Sequence, residues 1–548
     1  YRRIPQRSRI RAMVLFLLFV CWSNCHSGFV FGLFVLSVWE CAEWAHRRVS
    51  AVSAGVTIAI AAGGALINPN TWHVYRYPFL FLVHSELFGQ VSELRPLTTP
   101  AFQGGWFIPL FYTLMIVSLA VSLLRIRAGG WRETILVAVF SGLAIRAVRN
   151  VPLAILVMLP CLFLHGPVLV QRLRSDRLPS WVRTSAGLMA FGMPIFLIAT
   201  ALGAGIPIDR ESRRTVGLGI SELMYPRGAV RYIRNHEIQG NMFNTFAFGG
   251  FLLWELFPDP RVFIDGRLFV YMNGVLHDYR EVIAGRMDLD QLNRKYGVTW
   301  FVLAYPEAGV TVDESLYGAL KSRKDWVPVY WDDNAMLFVR DDGKNSAVIA
   351  EDGFRIIHPL HRTMTEIDGL IRKNPEGVLH EAERAVGMNP ENSGAEVILG
   401  RYYSLKGQPA KSLEHYSRVL NRHPDNIQIR RHAAIDLLAA GRLQDAEKEW
   451  RRICAESRPD GFALMNLGVS LHRQGRLDDA EAWYRRSEQA GYRSPELFNA
   501  LGIMHAQRGN MTDAILCWTK GLSLDPDHVQ IRRNLERARG KRLPEIAP

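Results

Sequence analysis

Residues 441–450 read Gly-Arg-Leu-Gln-Asp-Ala-Glu-Lys-Glu-Trp, and residues 475–484 read Gly-Arg-Leu-Asp-Asp-Ala-Glu-Ala-Trp-Tyr, a spacing of 34 positions (475 − 441). The spacing continues on both sides of this pair. Each unit has a glycine, a small residue five positions later and an aromatic residue nine positions later: Gly407, Gly441, Gly475 and Gly509; Ser412, Ala446, Ala480 and Ala514; Tyr416, Trp450, Tyr484 and Trp518. Small residues at fixed points let two helices cross closely, and the aromatic residues fill the gap beside the crossing. The C-terminal part of the chain is therefore predicted to be a stack of helical hairpins.

This pattern is similar to that of tetratricopeptide repeats. We expect four repeats over residues 392–527, preceded by a linker and a degenerate repeat over 346–391. A capping helix and a tail are expected over 528–548, because the open end of such a stack needs a polar cover. The resemblance implies an α-solenoid that binds a protein partner through its concave face.

The charge is distributed unevenly along the chain. Residues 1–204 contain 18 arginines, no lysine and 6 acidic residues, a balance of +12 (18 − 6), while the whole chain carries +13. The arginines flank apolar runs, so the basic character does not indicate a nucleic-acid partner. The six cysteines follow neither a zinc-ligand spacing nor a disulfide framework.

Apolar runs in the N-terminal part predict about seven membrane-spanning helices, and hence a polytopic α-helical membrane domain over residues 1–204. Four arginine clusters then fall on the cytoplasmic side, as the positive-inside rule requires: Arg2–Arg11, Arg47/Arg48, Arg125–Arg132 and Arg172–Arg183. The runs are 12–23, 28–44, 51–67, 106–124, 133–147, 151–170 and 184–204.

Residues 145–152, at the junction of the runs 133–147 and 151–170, read Ile-Arg-Ala-Val-Arg-Asn-Val-Pro. If a helix continues through them, Arg146 and Arg149 lie on one face, and guanidinium groups match a phosphate. The pair is either a lipid-phosphate site or two interfacial anchors that reach lipid headgroups. The pair is predicted to lie on the extracytoplasmic side, and so are Asn24, His26 and Glu93.

The series Trp22-Ser-Asn-Cys-His-Ser-Gly-Phe29, Asn68-Pro69, Glu93 and Arg149-Asn-Val-Pro152 resembles bacterial GT-C-type membrane glycosyltransferases, such as protein mannosyltransferases and aminoarabinose transferases. The resemblance covers residues 1 to about 345. It implies transfer of a sugar from a polyprenyl-phosphate carrier at the inner membrane, with the C-terminal domains extracytoplasmic. Arg146 and Arg149 would bind the lipid phosphate, and Asn24, His26 and Glu93 would make polar contacts.

In such enzymes the catalytic acid lies in the first extracytoplasmic loop, which here would precede Tyr1, so no residue receives the role of catalytic base. Enzymatic activity and a divalent cation are left open. The alternatives are a non-enzymatic scaffold for envelope assembly, or a glycan polymerase or ligase. An acidic residue in an upstream loop would favour the transferase.

Mixed element types over residues 205–345 predict a small extracytoplasmic α/β domain. Predicted strands include 242–246, 261–265, 299–305, 326–331 and 335–340. Asn244 and Asp265 then end strands, where open α/β sheets bind ligands. With Arg267 and Tyr271 they are predicted to line a sugar- or phosphate-binding crevice. The alternative is a turn that an Asp–Arg pair holds in place.

Overall fold

The computed structural model describes residues 8–76, 95–99, 107–126, 130–173, 206–207, 215–216, 225–271, 274–306, 312–361, 363–456 and 460–540. The chain divides into two units, Tyr1–Ser221 and Glu222–Pro548. Each is described by itself.

The first unit is helical over most of its described residues, and a two-residue antiparallel pair, β1 (Ile206–Pro207) with β2 (Thr215–Val216), is also present. Its helices bury apolar side chains such as Phe111, Val137 and Met158 between them. The helices are α1 (Ser8–Cys25), α2 (Phe29–Ala45), α3 (Ala51–Ala65), α4 (Phe107–Leu123), α5 (Trp131–Arg146) and α6 (Val151–Leu173).

The prediction of a polytopic membrane domain is wrong for this structure. Among the residues described, no helix is both long enough and apolar enough to cross a membrane. In α3, for example, 15 residues extend roughly 22 Å, against a bilayer core of about 30 Å. The helix ends at Ala65, whose carbonyl oxygen accepts a bond from the Asn68 side chain (2.6 Å). The predicted run 184–204 lies outside the described residues.

A four-stranded sheet organises the start of the second unit. The strands β3 (Asn241–Asn244), β4 (Val298–Ala304), β5 (Trp326–Trp331) and β6 (Ala335–Arg340) lie in the order β3-β4-β6-β5. β3 runs parallel to β4, and the other pairs are antiparallel. The sheet is buried on both faces, which explains why β4, β5 and β6 read as continuous apolar runs rather than as alternating ones.

Short helices surround this sheet. On one face α7 and α8 pack against Trp300, Val302 and Leu337. The helices are α7 (Arg227–Asn235), α8 (Gly249–Leu256), α9 (Val275–Ile283), α10 (Leu289–Tyr296), α11 (Leu316–Ser322) and α12 (Ser346–Asp352).

Helical hairpins follow the sheet within the same unit. The first pair, α13 (Met364–Lys373) and α14 (Pro375–Met388), occupies the segment predicted to be a degenerate repeat. The next four pairs are α15 (Ser393–Leu405) with α16 (Pro409–Arg422), α17 (Ile427–Ala439) with α18 (Leu443–Glu456), α19 (Gly461–Arg473) with α20 (Leu477–Gln489), and α21 (Pro495–Gln507) with α22 (Met511–Leu524). A last helix, α23 (Val529–Arg539), covers Trp518 through Ile531 and Leu535.

The repeated small residues have two roles in the structure. Gly407, Gly441, Gly475 and Gly509 each turn the chain within a hairpin with a positive φ of 69°, 73°, 80° and 78°, a conformation that favours glycine. At Gly468 an added Cβ would lie 2.6 Å from the Tyr484 ring. The predicted crossing of helices beside a buried aromatic residue is confirmed.

The first two repeats depart from the pattern at one buried position. The last two repeats place Leu464 and Phe498 there, whereas the first two place Glu396 and Arg430, which are 1% and 3% exposed. Glu396 contacts His415 (2.5 Å) and Arg418 (3.1 Å). Burial alone would raise the pKa of the Glu396 carboxyl, but these two partners hold it below its ordinary value. Ion pairs thus replace apolar packing in the first half of the stack.

The close contact at Gly468 can be tested by substitution. Gly468→Val is expected to destabilise the stack by about 1–3 kcal/mol, because the new side chain would enter the space of the Tyr484 ring. Gly369→Val is a matched control, since nothing lies within 4 Å of a Cβ at that helical position. Urea unfolding followed by circular dichroism measures both. Equal stability of the two variants would contradict the crossing geometry.

Candidate peptide-binding face of the repeats

Four side chains occupy the same position in the first helices of the four repeats: Arg401, Ile435, Val469 and Ile503. We call these residues the inner row. In a tetratricopeptide stack the first helices line the concave surface. Ile435 is 37% exposed, and Val469 and Ile503 are half-buried. These three aliphatic side chains form an apolar stripe across three successive first helices, in which Ile435 is the most exposed and Val469 and Ile503 also pack against the buried cores beside them.

The stripe ends at the first repeat, where the inner row carries a charge. Arg401 donates two hydrogen bonds to Asp368 of α13 (2.6 and 2.7 Å). These bonds raise the pKa of the Arg401 guanidinium. Both charges are paired within the protein, so the inner row ends in an ion pair at the first repeat.

Two carboxylates beside the inner row are likewise engaged. Asp436, buried in α17, accepts hydrogen bonds from Ser404 (2.8 Å) and Ser412 (2.6 Å) of the preceding repeat. Asp460 pairs with Arg431. By contrast, Arg473 lies one turn beyond Val469 and donates to the backbone carbonyl of Leu438 (2.8 Å). Within the described part of the chain no carboxylate pairs with Arg473.

The inner row was not among the predicted site residues, although its signal is present in the sequence. The period of 34 that aligns the glycines also aligns Ile435, Val469 and Ile503. An aliphatic residue at a solvent-facing repeat position is the feature that marks such a surface.

The sheet is attached to the first repeat by polar contacts. Asp333, in the turn between β5 and β6, accepts bonds from the backbone N–H (2.8 Å) and the hydroxyl (2.7 Å) of Ser393. The Nε2 atom of His423 lies 2.9 Å from the same carboxylate and 3.0 Å from the Ser393 hydroxyl. A catalytic triad needs its histidine between serine and acid, whereas here the hydroxyl contacts the acid directly. This trio is a structural contact.

A second set of contacts adjoins it. Asn392 donates to the backbone carbonyl of Trp331 (2.7 Å), and Asn389 donates to the Tyr330 hydroxyl (3.1 Å). Glu381 of α14 accepts backbone N–H bonds from the three residues 355–357. The sheet and the first hairpins therefore share one interface.

The residues of the predicted soluble-domain crevice do come together. Asp265 is 1% exposed and accepts bonds from the Arg267 side chain (2.9 Å from Nε) and from the Tyr271 hydroxyl (2.7 Å). Burial alone would raise the pKa of the Asp265 carboxyl, but the bonds from Arg267 and Tyr271 lower it. Asn244 binds the chain just before Asp265, accepting from the backbone N–H of Phe263 (2.8 Å) and donating to the carbonyl of Ile264 (2.8 Å).

One premise of that crevice is wrong. Residues 261–265 do not form a strand, because the Asn244 side chain, rather than a strand backbone, binds them. Asp265 therefore does not lie at the end of a sheet strand. The geometry is that of the alternative, a turn held by an Asp–Arg pair, and ligand binding there stays a prediction.

The two arginines of the predicted lipid-phosphate site do not share a helical face. The helix α5 ends at Arg146, Ala147 is extended (φ −152°, ψ 122°), and Arg149 lies in a separate 3₁₀ turn. At this break the backbone carbonyl of Arg95 accepts a hydrogen bond from the Val148 N–H (3.1 Å). Both predicted phosphate ligands are exposed. Phosphate binding by this pair stays a prediction, but the two arginines lack the shared helical face on which it was based.

The other predicted polar contacts have local partners. Asn24 donates to the carbonyls of Val20 (2.8 Å) and Ile67 (2.7 Å). His26 accepts from the Gly28 N–H (2.8 Å) at the break between α1 and α2. Glu93 lies outside the described residues. In the described part of the chain, no three histidine, cysteine or acidic side chains form a group that could hold a metal.

Comparison with known proteins supports the assignment of the repeats. Residues 432–494 match the sequence model of the family described as tetratricopeptide repeat. No curated protein matches the chain. The C-terminal part thus contains tetratricopeptide repeats.

Several solved structures are similar to part of the chain. A tetratricopeptide repeat protein from Parabacteroides merdae is 14% identical and covers 36% of this chain and 76% of its own, with a TM-score of 0.29. A thermophilic TPR protein of Thermus thermophilus is 19% identical over 31% of this chain and 94% of its own, with a TM-score of 0.28. PilW, a type IV pilus biogenesis factor, is 22% identical over 32% and 84%, with a TM-score of 0.29. Scores this low carry no functional argument.

Proposed function

We propose that this chain is a protein-binding protein whose tetratricopeptide repeats hold a segment of a partner on the inner row. The observation that supports this is the apolar stripe of Ile435, Val469 and Ile503 across three successive first helices. A contiguous patch of exposed apolar side chains, unlike single scattered ones, is typical of a protein-binding surface. A repeat stack has no active site of its own, so binding is the function that this surface serves.

The contacts between sheet and repeats give this binding face a fixed support. Because Asp333, Asn389 and Asn392 tie the β5–β6 hairpin region to the first repeat, the sheet serves as the N-terminal cover of the stack. A solenoid requires such a cover at each end. A partner held on the inner row would consequently be presented in a defined orientation to the sheet domain.

The experiment places a photoreactive amino acid at Val469 of the full chain and, as a control, at Leu516, which is 54% exposed on α22. A partner crosslinked from Val469 and not from Leu516 is identified and purified. Its binding is then measured against the wild type and Val469→Glu. We expect Val469→Glu to weaken binding by about tenfold or more, because a charge would enter the apolar stripe. Unchanged affinity would contradict the proposal.

Sugar transfer, a polyprenyl-phosphate carrier and a lipid partner are left outside this proposal. In the first unit Arg146 and Arg149 lie on separate elements. In the second unit the Asp265 carboxylate already accepts hydrogen bonds from Arg267 and Tyr271. The non-enzymatic scaffold, the alternative from the sequence, is compatible with a protein-binding repeat stack.

A further inference from the structure

We propose that the outward side of helices α7 and α8 docks on an anionic lipid bilayer surface, with two aromatic side chains among the lipids and arginines against the headgroup phosphates. This aromatic–arginine surface consists of Arg227, Arg231 and Arg234 on α7 with Trp254 and Phe257 at the end of α8. It belongs to the sheet-containing part of the second unit, so the inference goes beyond the proposed function of the repeats and does not depend on it.

Two large aromatic side chains are exposed next to each other. Trp254 is 68% exposed and Phe257 is 75% exposed, and their spacing of three positions places them on the same side of the helix end. The inner side of α8 is formed by Phe251 and Leu252, which are buried in the core beside the sheet. Single exposed apolar side chains are common on protein surfaces, but an adjacent tryptophan and phenylalanine indicate a contact site.

The helix α7 presents a row of arginines to the outside. Its inner side, which includes Val230 and Tyr232, is buried against the sheet. Arg227, Arg231 and Arg234 are all exposed, and spacings of four and three residues place them on one face. The row extends over roughly 10 Å, at about 1.5 Å per residue. Its planar guanidinium groups are suited to phosphate, and along this length they would reach more than one headgroup.

A pair of hydrogen bonds joins the arginine row to the aromatic pair. Arg234 donates to the backbone carbonyl (2.6 Å) and to the carboxylate (2.8 Å) of Glu255. Glu255 directly follows Trp254 in the chain. The arginines of α7 and the aromatic rings of α8 therefore form one continuous surface.

The charge of this region is positive by a small margin. Its exposed or half-buried charged groups also include Glu237 after α7, Glu255, and Asp259 with Arg261 in the segment after Phe257. Four arginines face three carboxylates, a balance of +1 (4 − 3), and three of the four arginines lie on α7. The aromatic pair is therefore expected to supply most of the affinity, and the arginines a preference for anionic lipid.

The projecting rings favour a lipid surface over a protein partner. A protein would have to offer two recesses that match the rings, whereas tryptophan and phenylalanine enter the interfacial region of a bilayer without a preformed site. Arginines beside them then meet the negative surface potential of anionic lipids. Contact of this kind is peripheral and requires no helix that crosses the bilayer.

The test uses the full chain with an environment-sensitive fluorescent amino acid in place of Phe257. A second version carries the same probe in place of Val529, which is 60% exposed on α23. Both are titrated with vesicles of phosphatidylglycerol and, separately, of phosphatidylcholine. Because the probe reports on its own position, adsorption of the chain through another part, such as the exposed Leu17 of the first unit, does not produce its signal.

Three variants accompany the Phe257 probe. Trp254→Ser removes the neighbouring ring, and Arg231→Ser removes one charge from α7. Arg485→Ser makes the same charge change at an exposed position on α20 and is the matched control. Circular dichroism establishes that each variant is folded, and the surface position of Arg231 keeps the test valid if Trp254→Ser unfolds.

We expect phosphatidylglycerol vesicles to shift the emission at position 257 to the blue and to leave position 529 unchanged. The lipid concentration at half-maximal shift should rise about tenfold or more in Trp254→Ser, because binding scales with the apolar area that enters the bilayer. It should rise about fivefold in Arg231→Ser and for phosphatidylcholine, and stay unchanged in Arg485→Ser. Vesicle binding without a shift at 257, or equal shifts at 257 and 529, would overturn the inference. A shift that ignores both Arg231→Ser and the lipid charge would overturn the role of the arginines.

Discussion

A Glu381→Gln variant is expected to lose about 3 kcal/mol of stability, because removing the charge leaves buried backbone donors poorly satisfied. Glu381 is 6% exposed, and its two carboxylate oxygens accept from the N–H groups of Arg355 (2.8 Å), Ile356 (3.0 Å) and Ile357 (2.8 Å). A glutamine of the same size keeps one acceptor and turns an NH₂ group towards these donors. The segment that joins the sheet to the first hairpin would lose the group that orders it.

Urea unfolding of the full chain measures the loss, and hydrogen exchange locates it. The amides of residues 355–357 should exchange faster in Glu381→Gln than in the wild type. Glu383→Gln, an exposed neighbour on the same helix, makes the same chemical change without touching these amides. If both variants match the wild type, the carboxylate does not hold the interface.

Acidification is expected to destabilise the second unit through His358. Burial lowers the pKa of this histidine from 6.5 to about 3, with smaller contributions from His361 and Lys321. Its ring lies 5.4 Å from that of Phe338, and Nδ1 accepts from the Leu360 N–H (3.2 Å). Protonation would place a charge in an apolar site and remove that acceptor.

The direction follows from proton linkage. Because the pKa is lower in the folded state, the unfolded chain binds this proton more readily, and stability is lost as the pH falls from 6.5 towards 3. The contribution lost is roughly 2 kcal/mol at pH 5 and approaches about 5 kcal/mol in strong acid. The full contribution of His358 to stability is present above about pH 6.5.

The measurement compares urea unfolding at pH 7 and pH 5 for the wild type and His358→Asn. Asparagine keeps an acceptor for the Leu360 N–H and cannot take up a proton, so we expect this variant to lose about 2 kcal/mol less than the wild type. His380→Asn, at an exposed position on α14, should behave as the wild type does. Parallel pH dependences for His358→Asn and the wild type would show that another group is responsible.

Several elements were accessible from the sequence because their cause is local. The strands at 326–331 and 335–340 coincide with β5 and β6, since each is a run of large apolar residues ended by charged or turn-forming ones. Helices in residues 1–173 were equally visible as apolar runs. Their exact ends were not: α3 ends at Ala65 rather than at the predicted residue 67, and the Asn68 side chain binds the Ala65 carbonyl oxygen there.

The candidate site was likewise predictable from the sequence only in part. The spacing of 34 was sufficient to locate every repeat, but not to show which inner-row charges are paired. Arg401 and Arg473 occupy similar helices in the sequence, and only the fold brings Asp368 to the first of them. The pair at Asp265 and Arg267, two residues apart, was predictable, whereas the binding of residues 263–264 by Asn244 was not.

The repeat stack could be read from the amino-acid sequence alone, because glycines with positive φ, helix crossings and buried aromatic residues are local requirements that recur with each unit. The strand order, the break after Arg146, the attachment of Asp333 to Ser393 and the exposure of Ile435 and Val469 emerged only from the folded chain. Each of these depends on contacts between segments that are distant in the chain, and a local pattern contains no information about which distant segment will satisfy a given side chain.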